Sequence, residues 1–188
     1  ILEEALPSVD IFAPSLDEIV FMLHRERGLV VRNKAAEGVS MGGLIEDDVR
    51  ALASELLSLG VAVVMLKLGN QGAYLRVTTD TQRLAACGCF DEAACERWAG
   101  AEFFAPCFDA KVAGTTGSGD CTVAGLLAGV AMGLDPDACV RSAVAVGSAS
   151  VEQPDATSGV PAWSELDARL RAGWGREKPK VTFRVPWA

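Results

Sequence analysis

Residues 114–120 read Gly-Thr-Thr-Gly-Ser-Gly-Asp, and residues 121–130 continue as Cys-Thr-Val-Ala-Gly-Leu-Leu-Ala-Gly-Val. Glycines allow positive φ angles and let a backbone come close to a ligand. The small side chains that follow predict a helix over about residues 119–132, whose N-terminus lies at the loop. The free N–H groups and the positive dipole end of that helix would face an anion. The stretch therefore predicts an anion-binding loop with an acid, Asp120, beside it.

The acid distinguishes this loop from two common phosphate-binding motifs. Gly114 and Gly119 have the spacing of the P-loop G-x-x-x-x-G-K-[ST], but Asp120 stands at the lysine position. The dinucleotide fingerprint G-x-G-x-x-G does not match either. A carboxylate beside a phosphate has a clear use when it takes the proton of a hydroxyl that attacks the phosphate. We therefore predict a phosphoryl-transfer site with Asp120 as catalytic base; the alternative is that Asp120 only caps the helix.

The composition narrows the class of protein. The chain has 188 residues, 50% of them hydrophobic, which fits one folded domain. Its formal net charge is −8 and it has no stripe of Lys and Arg, which argues against nucleic acid as a partner. Six cysteines without a C-x-x-C pair and a single histidine argue against zinc and for free thiols, as in the cytoplasm. No apolar run is long enough to cross a bilayer, so no membrane partner is predicted.

Hydrophobic periodicity predicts the order of helices and strands. We predict strands at residues 9–13, 61–66 and 73–77, and helices at residues 16–25, 46–59, 119–132, 136–152 and 163–171. The continuous apolar run at 61–66 is typical of a strand that is buried on both faces. Residues 27–44 are predicted as loop, residues 81–111 as irregular, and residues 175–188 as an extended, peripheral tail. This order predicts a layered α/β domain.

Four segments, in the same order, resemble the ribokinase-like (PfkB-type) carbohydrate kinases. Residues 114–125 resemble the family signature D-T-x-G-A-G-D-x-F-x-A-G, and residues 64–73 resemble V-x-x-T-L-G-x-x-G, the turn along the nucleotide phosphates. Residues 9–18 resemble a strand followed by P-N-x-x-E, and residues 145–161 resemble the late helix and loop beside the adenine. The resemblance spans residues 9 to about 171. It implies a three-layer αβα, ribokinase-like (Rossmann-like) domain.

The resemblance implies an ATP-dependent kinase, with Mg²⁺, that acts on the hydroxyl of a small-molecule sugar. It gives Asp120 the role of base, and Gly117, Ser118 and Gly119 the role of an anion hole for the transferring phosphoryl group. It links Glu18 to magnesium and phosphate. The residues that it assigns to nucleotide binding are Lys67, Gly69, Gly72, Thr115 and Thr116.

Several positions depart from the family pattern. Ser15 stands where the family has Asn, and Ser15 with Glu18 also forms a capping-box pattern at a helix start, which is an equal interpretation of the pair. Lys67 replaces a common Thr; it either reaches a phosphate as a point charge or is a solvated lysine at a strand end. Gly114 replaces the Asp that supports a monovalent-cation site, and Gly159 falls where a later ligand lies. Activation by potassium is therefore not expected.

Family members also carry an N-terminal half with sugar-binding residues and a β-strand lid. We therefore expect a domain that is incomplete at its N-terminus and lacks the lid: a C-terminal, nucleotide-binding part (residues 1–174) followed by the tail (residues 175–188). Its unpaired hydrophobic edges should be exposed. The resemblance allows a homodimer formed through the N-terminal elements. Two alternatives stay open: a non-catalytic nucleotide-binding or regulatory module that keeps the fold, and a related kinase of nucleosides or vitamin precursors.

Overall fold

The computed structural model describes all 188 residues of the chain. The helices are α1 (Leu2–Ala5), α2 (Leu16–Leu23), α3 (Arg25–Ala36), α4 (Glu46–Ser58), α5 (Thr81–Ala85), α6 (Glu92–Trp98), α7 (Ser118–Ala131), α8 (Pro136–Ser150) and α9 (Trp163–Arg171). The strands are β1 (Ile11–Phe12), β2 (Val63–Lys67), β3 (Ala73–Val77) and β4 (Glu102–Ala105). Three short 3-10 segments lie at Leu6–Ser8, Ser40–Gly43 and Gly69–Gln71.

The four strands form one mixed sheet in the order β1-β2-β3-β4. β1 is parallel to β2, whereas the pairs β2–β3 and β3–β4 are antiparallel. β2 and β3 form a hairpin, with Lys67 opposite Ala73 next to the turn. The short connection of this hairpin, at Gly69–Gln71, therefore lies at one end of the sheet.

Side chains on β2 alternate between two buried clusters, because successive residues of a strand point to opposite faces. Val63 and Met65 pack with residues of α6, α7 and α8 on one face of the sheet. Val64 and Leu66 pack with residues of α2 and α4 on the other face. All four side chains are fully buried. The sheet lies between two layers of helices, so the predicted three-layer αβα architecture is confirmed.

The elements with strong periodicity lie close to their predicted bounds, but helix α3 was predicted as a loop. β3 and α9 have the predicted bounds, and α4, α7 and α8 are displaced by one or two residues at their ends. The prediction of a loop over residues 27–44 is wrong, because α3 occupies Arg25–Ala36. A Cβ at Gly28 would lie 2.4 Å from the Cα of Phe21. Gly28 thus permits close packing of α3 on α2 instead of interrupting the helix, and the polar sequence of α3 has no apolar stripe that would have signalled it.

Two further predictions need correction. Residues 81–111, predicted as irregular, contain α5 and α6. Both helices start at an aspartate, Asp80 and Asp91, whose carboxylate accepts N–H hydrogen bonds from the first turn. The strand predicted at residues 9–13 is shorter, since only Ile11–Phe12 pairs with β2.

The C-terminal tail, residues 175–188, is not peripheral as predicted. The Phe183 side chain is only 4% exposed, and its ring stacks on Phe104 of β4 with a centroid distance of 4.0 Å. The Phe104 N–H donates to the Pro186 carbonyl oxygen, and the Ala188 N–H donates to the Phe104 carbonyl oxygen, each at 3.0 Å. The tail therefore runs along the open edge of β4 and covers part of one face of the sheet.

Glycines let α7 and α8 pack closely. A Cβ at Gly125 would lie 2.9 Å from the Cα of Ala143, and a Cβ at Gly129 would lie 3.0 Å from the sulfur of Cys139. This contact fixes the start of α7, and the Gly-rich loop before it, relative to the sheet. Although α7 and α8 are rich in apolar residues, no helix of the structure has both the length and the apolar character needed to cross a membrane.

Candidate active site

A cavity of about 850 Å³ lies at the end of the sheet where β2 turns into β3. Its walls come from the β2–β3 turn, the start of α7, the C-terminal half of α8, α3 and the tail. A volume of this size is typical of small-molecule sites, which span about 300–1,000 Å³. Among the residues predicted to bind nucleotide or the phosphoryl group, those that line the cavity are Lys67, Gly69, Gly72, Thr115, Ser118 and Gly119.

The β2–β3 turn depends on two glycines with positive φ. Gly69 has a φ of 60° and Gly72 a φ of 116°. A Cβ at Gly72 would lie 1.9 Å from the carbonyl oxygen of Ala105, so no other residue fits there without displacing β4. The Cys107 thiol donates to the carbonyl oxygen of Gly69, with 3.6 Å between sulfur and oxygen. The turn is therefore packed onto the end of β4, and its backbone borders the cavity.

At the start of α7, two backbone donors have no acceptor within the protein. The Cys121 N–H donates to the Gly117 carbonyl oxygen at 2.8 Å and so closes the first turn. The N–H groups of Gly119 and Asp120 donate to no protein atom. Free N–H groups at the N-terminus of a helix, reinforced by the helix dipole, bind anions.

The Gly-rich loop is packed against residues 154–156. Gly117 has a φ of 74°, and a Cβ there would lie 2.7 Å from the Cβ of Ala156. A Cβ at Gly114 would lie 2.8 Å from the carbonyl oxygen of Pro154. Between these contacts, Asp155 accepts hydrogen bonds from a hydroxyl and two N–H groups of the following turn, which lower its pKa to about 2. Gly114 and Gly117 are therefore needed because a side chain at either position would collide with residues 154–156, and not only because glycine is flexible.

The Lys67 side chain reaches the start of α7. Its Nζ lies 3.2 Å from the position that a Cβ of Gly119 would take. Lys67 forms no ion pair with a carboxylate of the protein. Its ammonium group thus lies next to the free N–H groups of α7. This position favours the interpretation of Lys67 as a point charge for a phosphate over that of a solvated lysine at a strand end.

Asp120, Thr116 and Gly117 do not line the cavity. They belong to the same loop and first helical turn as the lining residues Thr115 and Ser118. Asp120 follows directly after Gly119, and its side chain is exposed. A hydroxyl group that approaches from outside the cavity can therefore reach the carboxylate.

Glu18 lies apart from these residues, in a second and more apolar groove. Its carboxylate accepts a hydrogen bond from the Ser15 N–H at 3.2 Å, which is one half of a capping box. Asp17, the preceding residue, lines both cavities. No group of three or more His, Cys, Asp or Glu side chains is placed to hold a metal ion. Magnesium that accompanies a nucleotide needs only one or two carboxylates besides phosphate oxygens and water; Asp17, which lines the cavity, fits this role, whereas Glu18 does not line it.

Most of the positive charge in the cavity comes from residues that no sequence motif indicates. The cationic side chains that line it are Arg32, Lys67, Lys178 and Lys180, and the acidic ones are Asp17 and Glu177. An excess of positive charge in one cavity of a protein with a net charge of −8 favours an anionic ligand. The one sequence signal for the contribution of the tail is the Lys-Pro-Lys stretch at 178–180, which lies in a locally basic segment of an acidic chain.

Cys107 is a further lining residue that the sequence did not indicate. Burial raises the pKa of its thiol to about 11, although a hydrogen bond with Ser148 acts in the opposite direction. The thiol is therefore neutral at physiological pH. A neutral thiol is a weak nucleophile, so Cys107 serves here as the donor to Gly69 and as part of the wall.

Comparison with known protein families agrees with this geometry. The model of the pfkB family carbohydrate kinases matches residues 2–163. The chain belongs to this family. A comparison with curated proteins gave no match.

This chain spans less than half the length of the solved structures that share its fold. Ribokinase from Arabidopsis thaliana, complexed with ribose and ATP, is 21% identical with a TM-score of 0.64, over 90% of this chain and 43% of that one. Ribokinase from Thermotoga maritima is 24% identical with a TM-score of 0.58, over 90% and 44%. Aminoimidazole riboside kinase from Salmonella enterica, complexed with aminoimidazole riboside and an ATP analog, is 22% identical with a TM-score of 0.57, over 90% and 44%. These similarities identify the fold as ribokinase-like.

Proposed function

We propose that the protein takes part in ATP-dependent phosphorylation of a sugar hydroxyl. The observation that carries the proposal is the pair of free N–H groups at Gly119 and Asp120, which lie beside the Lys67 ammonium group at the wall of the cavity. Converging donors of this kind stabilise the charge of a transferring phosphoryl group. Family membership supports the reaction class.

In this proposal, ATP occupies the cavity of about 850 Å³ with its phosphates toward the start of α7. The backbone of Gly69 and Gly72 lies along the phosphates, and Lys67 neutralises part of their charge. Thr115 and Thr116 supply hydroxyl groups beside them. The lining contains both apolar surface and the cations described above, which suits a nucleotide with an apolar base and an anionic chain.

Each group of the Gly-rich loop has one role in the proposed transfer step. The sugar oxygen forms a bond to the γ-phosphorus while the bond from that phosphorus to the β,γ-bridging oxygen breaks, and ADP leaves. Asp120 accepts the proton of the sugar hydroxyl. Gly117, Ser118 and Gly119 form the turn that holds the N–H donors around the phosphoryl oxygens. Magnesium, when bound, supplies positive charge that offsets the phosphate oxygens, and Asp17, which lines the cavity, would help to hold it.

Turnover of ATP with a panel of sugars tests this proposal. The panel includes ribosides, since one similar structure is a riboside kinase. Asp120→Asn should lower kcat by about 10²–10⁴-fold and leave ATP affinity almost unchanged, because the base is lost while the donors remain. Asp137→Asn is the matched control, because Asp137 is an acid in the first turn of α8 and lies outside the cavity. Failure of the wild-type protein to phosphorylate any member of the panel would contradict the proposal, as would equal rates for Asp120→Asn and wild type.

A non-catalytic nucleotide-binding module is the second candidate. The position of Asp120 outside the lining of the cavity favours it. This candidate requires ATP binding to the cavity without transfer to any sugar or riboside, and equal ATP affinity for the wild-type protein and Asp120→Asn. Cytoplasmic location, the homodimer and the absence of potassium activation stay predictions.

A further inference from the structure

The tail contributes two lysines to the cavity although it lies beyond the part of the chain that matches the family model. That match ends at residue 163. Lys178 and Lys180 line the same cavity as Lys67 and Gly119. The part of the cavity wall that Lys178 and Lys180 form therefore comes from a segment that the family model does not match.

The backbone around the two lysines is held in place on both sides. The Glu177 N–H donates to the Cys107 carbonyl oxygen at 2.8 Å. The Lys180 N–H donates to the Oε1 of Gln71 at 2.6 Å, and Gln71 is only 3% exposed. Because Gln71 belongs to the β2–β3 turn, the tail is attached directly to the turn that borders the cavity.

Two further features limit the movement of this segment. Pro179 lies between the lysines, and its ring fixes φ at about −65°. After Lys180, the ring of Phe183 is buried against Phe104, and the Arg184 N–H donates to the buried Glu46 carboxylate at 3.0 Å. The stems of the two lysines therefore start from fixed positions on the cavity wall, so binding a ligand requires ordering of the two side chains but not of the backbone that carries them.

The charges of the two lysines are not compensated by the protein. Neither Lys178 nor Lys180 forms an ion pair with a carboxylate, and the same holds for the other two cations of the lining, Arg32 and Lys67. Four cations against two acids leave an excess of two positive charges in the lining. An anionic ligand would supply the missing partners.

We propose that Lys178 and Lys180 bind the phosphate chain of the nucleotide, so that the tail is a working part of the binding site. The inference rests on the proposed nucleotide-binding function of the cavity. Lys67 and the free N–H groups of α7 would bind the phosphates from the start of α7, and the two lysines would bind them from the tail. The contribution of the two lysines to nucleotide affinity should grow with the number of phosphates on the nucleotide.

Direct binding measurements on K178Q/K180Q test the inference. Dissociation constants for ATP, ADP, AMP and adenosine are measured by calorimetry on this variant and on wild type. Each exposed charge pair contributes up to about fivefold in affinity, so the double variant should bind ATP more weakly by up to about 25-fold. The loss should shrink from ATP to AMP and vanish for adenosine. The affinity of wild type for ATP should also fall more steeply with salt than that of the variant.

Two control variants separate charge from shape. K34Q/R171Q removes the same number of charges from exposed positions that do not line the cavity, and it should bind ATP within about twofold of wild type. K178R/K180R keeps the charge and should retain most of the affinity for ATP. Thermal unfolding of each variant checks that the tail remains packed.

The outcomes also separate this inference from the proposed kinase reaction. Equal ATP affinity for wild type and K178Q/K180Q overturns the inference, and so does an equal loss for ATP and adenosine, which would indicate a structural role. A wild-type protein that binds ATP through the lysines but phosphorylates no sugar supports the inference and contradicts the kinase reaction. A wild-type protein that binds no ATP overturns both.

Discussion

The Gly-rich loop at residues 114–120 and the tail at residues 175–188 border the same cavity, but they are held in place by different physical means. The loop is determined by its backbone: Gly117 has a positive φ, and the N–H groups of Gly119 and Asp120 are left free by the helix that follows. The tail is determined by side-chain burial and by hydrogen bonds to β4, with Phe183 as its main anchor.

This difference has a consequence for how each region responds to change. The free N–H groups at the start of α7 follow from residues that are neighbours in the sequence, so a short motif is sufficient to predict them, although the loop also packs against residues 154–156. The position of the tail follows from contacts with Phe104 and Gln71, which are distant in the sequence. Substitutions in the loop should therefore lower ligand affinity most, and substitutions of the buried tail residues should lower the free energy of unfolding most.

Phe183→Ala should have the largest effect, because it removes the anchor of the tail. Truncation of a buried Phe costs about 3–5 kcal/mol of unfolding free energy, and this side chain is 4% exposed. Urea denaturation of the variant and of wild type measures the difference. Trp187→Ala is the control: its ring contacts Phe104 edge-on at 5.8 Å, but it is 53% exposed, so about 1 kcal/mol is expected. Equal losses for the two variants would mean that burial of Phe183 does not anchor the tail.

The same contrast explains which features could be predicted from the sequence. The loop, β3 and α9 were found because glycine spacing and hydrophobic periodicity act over a few residues. α3 was missed because Gly28 looked like a break in the sequence, whereas its function is to let α3 approach Phe21 of α2. From the sequence alone, a glycine that allows two helices to pack closely cannot be distinguished from a glycine that interrupts a helix, because the partner helix is not known.

The candidate site divides in the same way. Lys67, Gly69, Gly72, Thr115, Ser118 and Gly119 were predicted from motifs and do line one cavity. Arg32, Lys178 and Lys180 carry no motif, and only the packing of α3 and the tail brings them there. A side chain that reaches a site through tertiary contacts alone leaves no local pattern in the sequence.

Gly117→Ala should perturb the loop by an amount smaller than the loss of the tail anchor. A side chain at a φ of 74° costs about 1–2 kcal/mol, and the contact of 2.7 Å with the Cβ of Ala156 adds about 1–2 kcal/mol of overpacking. Gly133→Ala is a close control, because Gly133 has a φ of 70° but no atom within 4 Å of its Cβ position. Gly133→Ala should cost only about 1–2 kcal/mol, which the positive φ imposes. Urea denaturation measures the free energy of unfolding of both variants. ATP affinity should fall for Gly117→Ala alone; a fall of equal size for both variants would contradict the assigned contact.

Cys107 allows the smallest and most local test, because it lies in the wall between the loop and the tail. With a pKa of about 11, only ~0.1% of the thiol is ionised at pH 8, and this fraction rises about tenfold for each pH unit until the pKa is approached. Alkylation by iodoacetamide, followed residue by residue with mass spectrometry, should therefore be slow at pH 7 and accelerate with pH. ATP should slow the reaction of Cys107 several-fold and leave the exposed Cys89, which lies outside the cavity, unaffected. Fast alkylation of Cys107 at pH 7 would show that the thiol is not buried as described, and equal protection of both cysteines would place the effect of ATP outside this cavity.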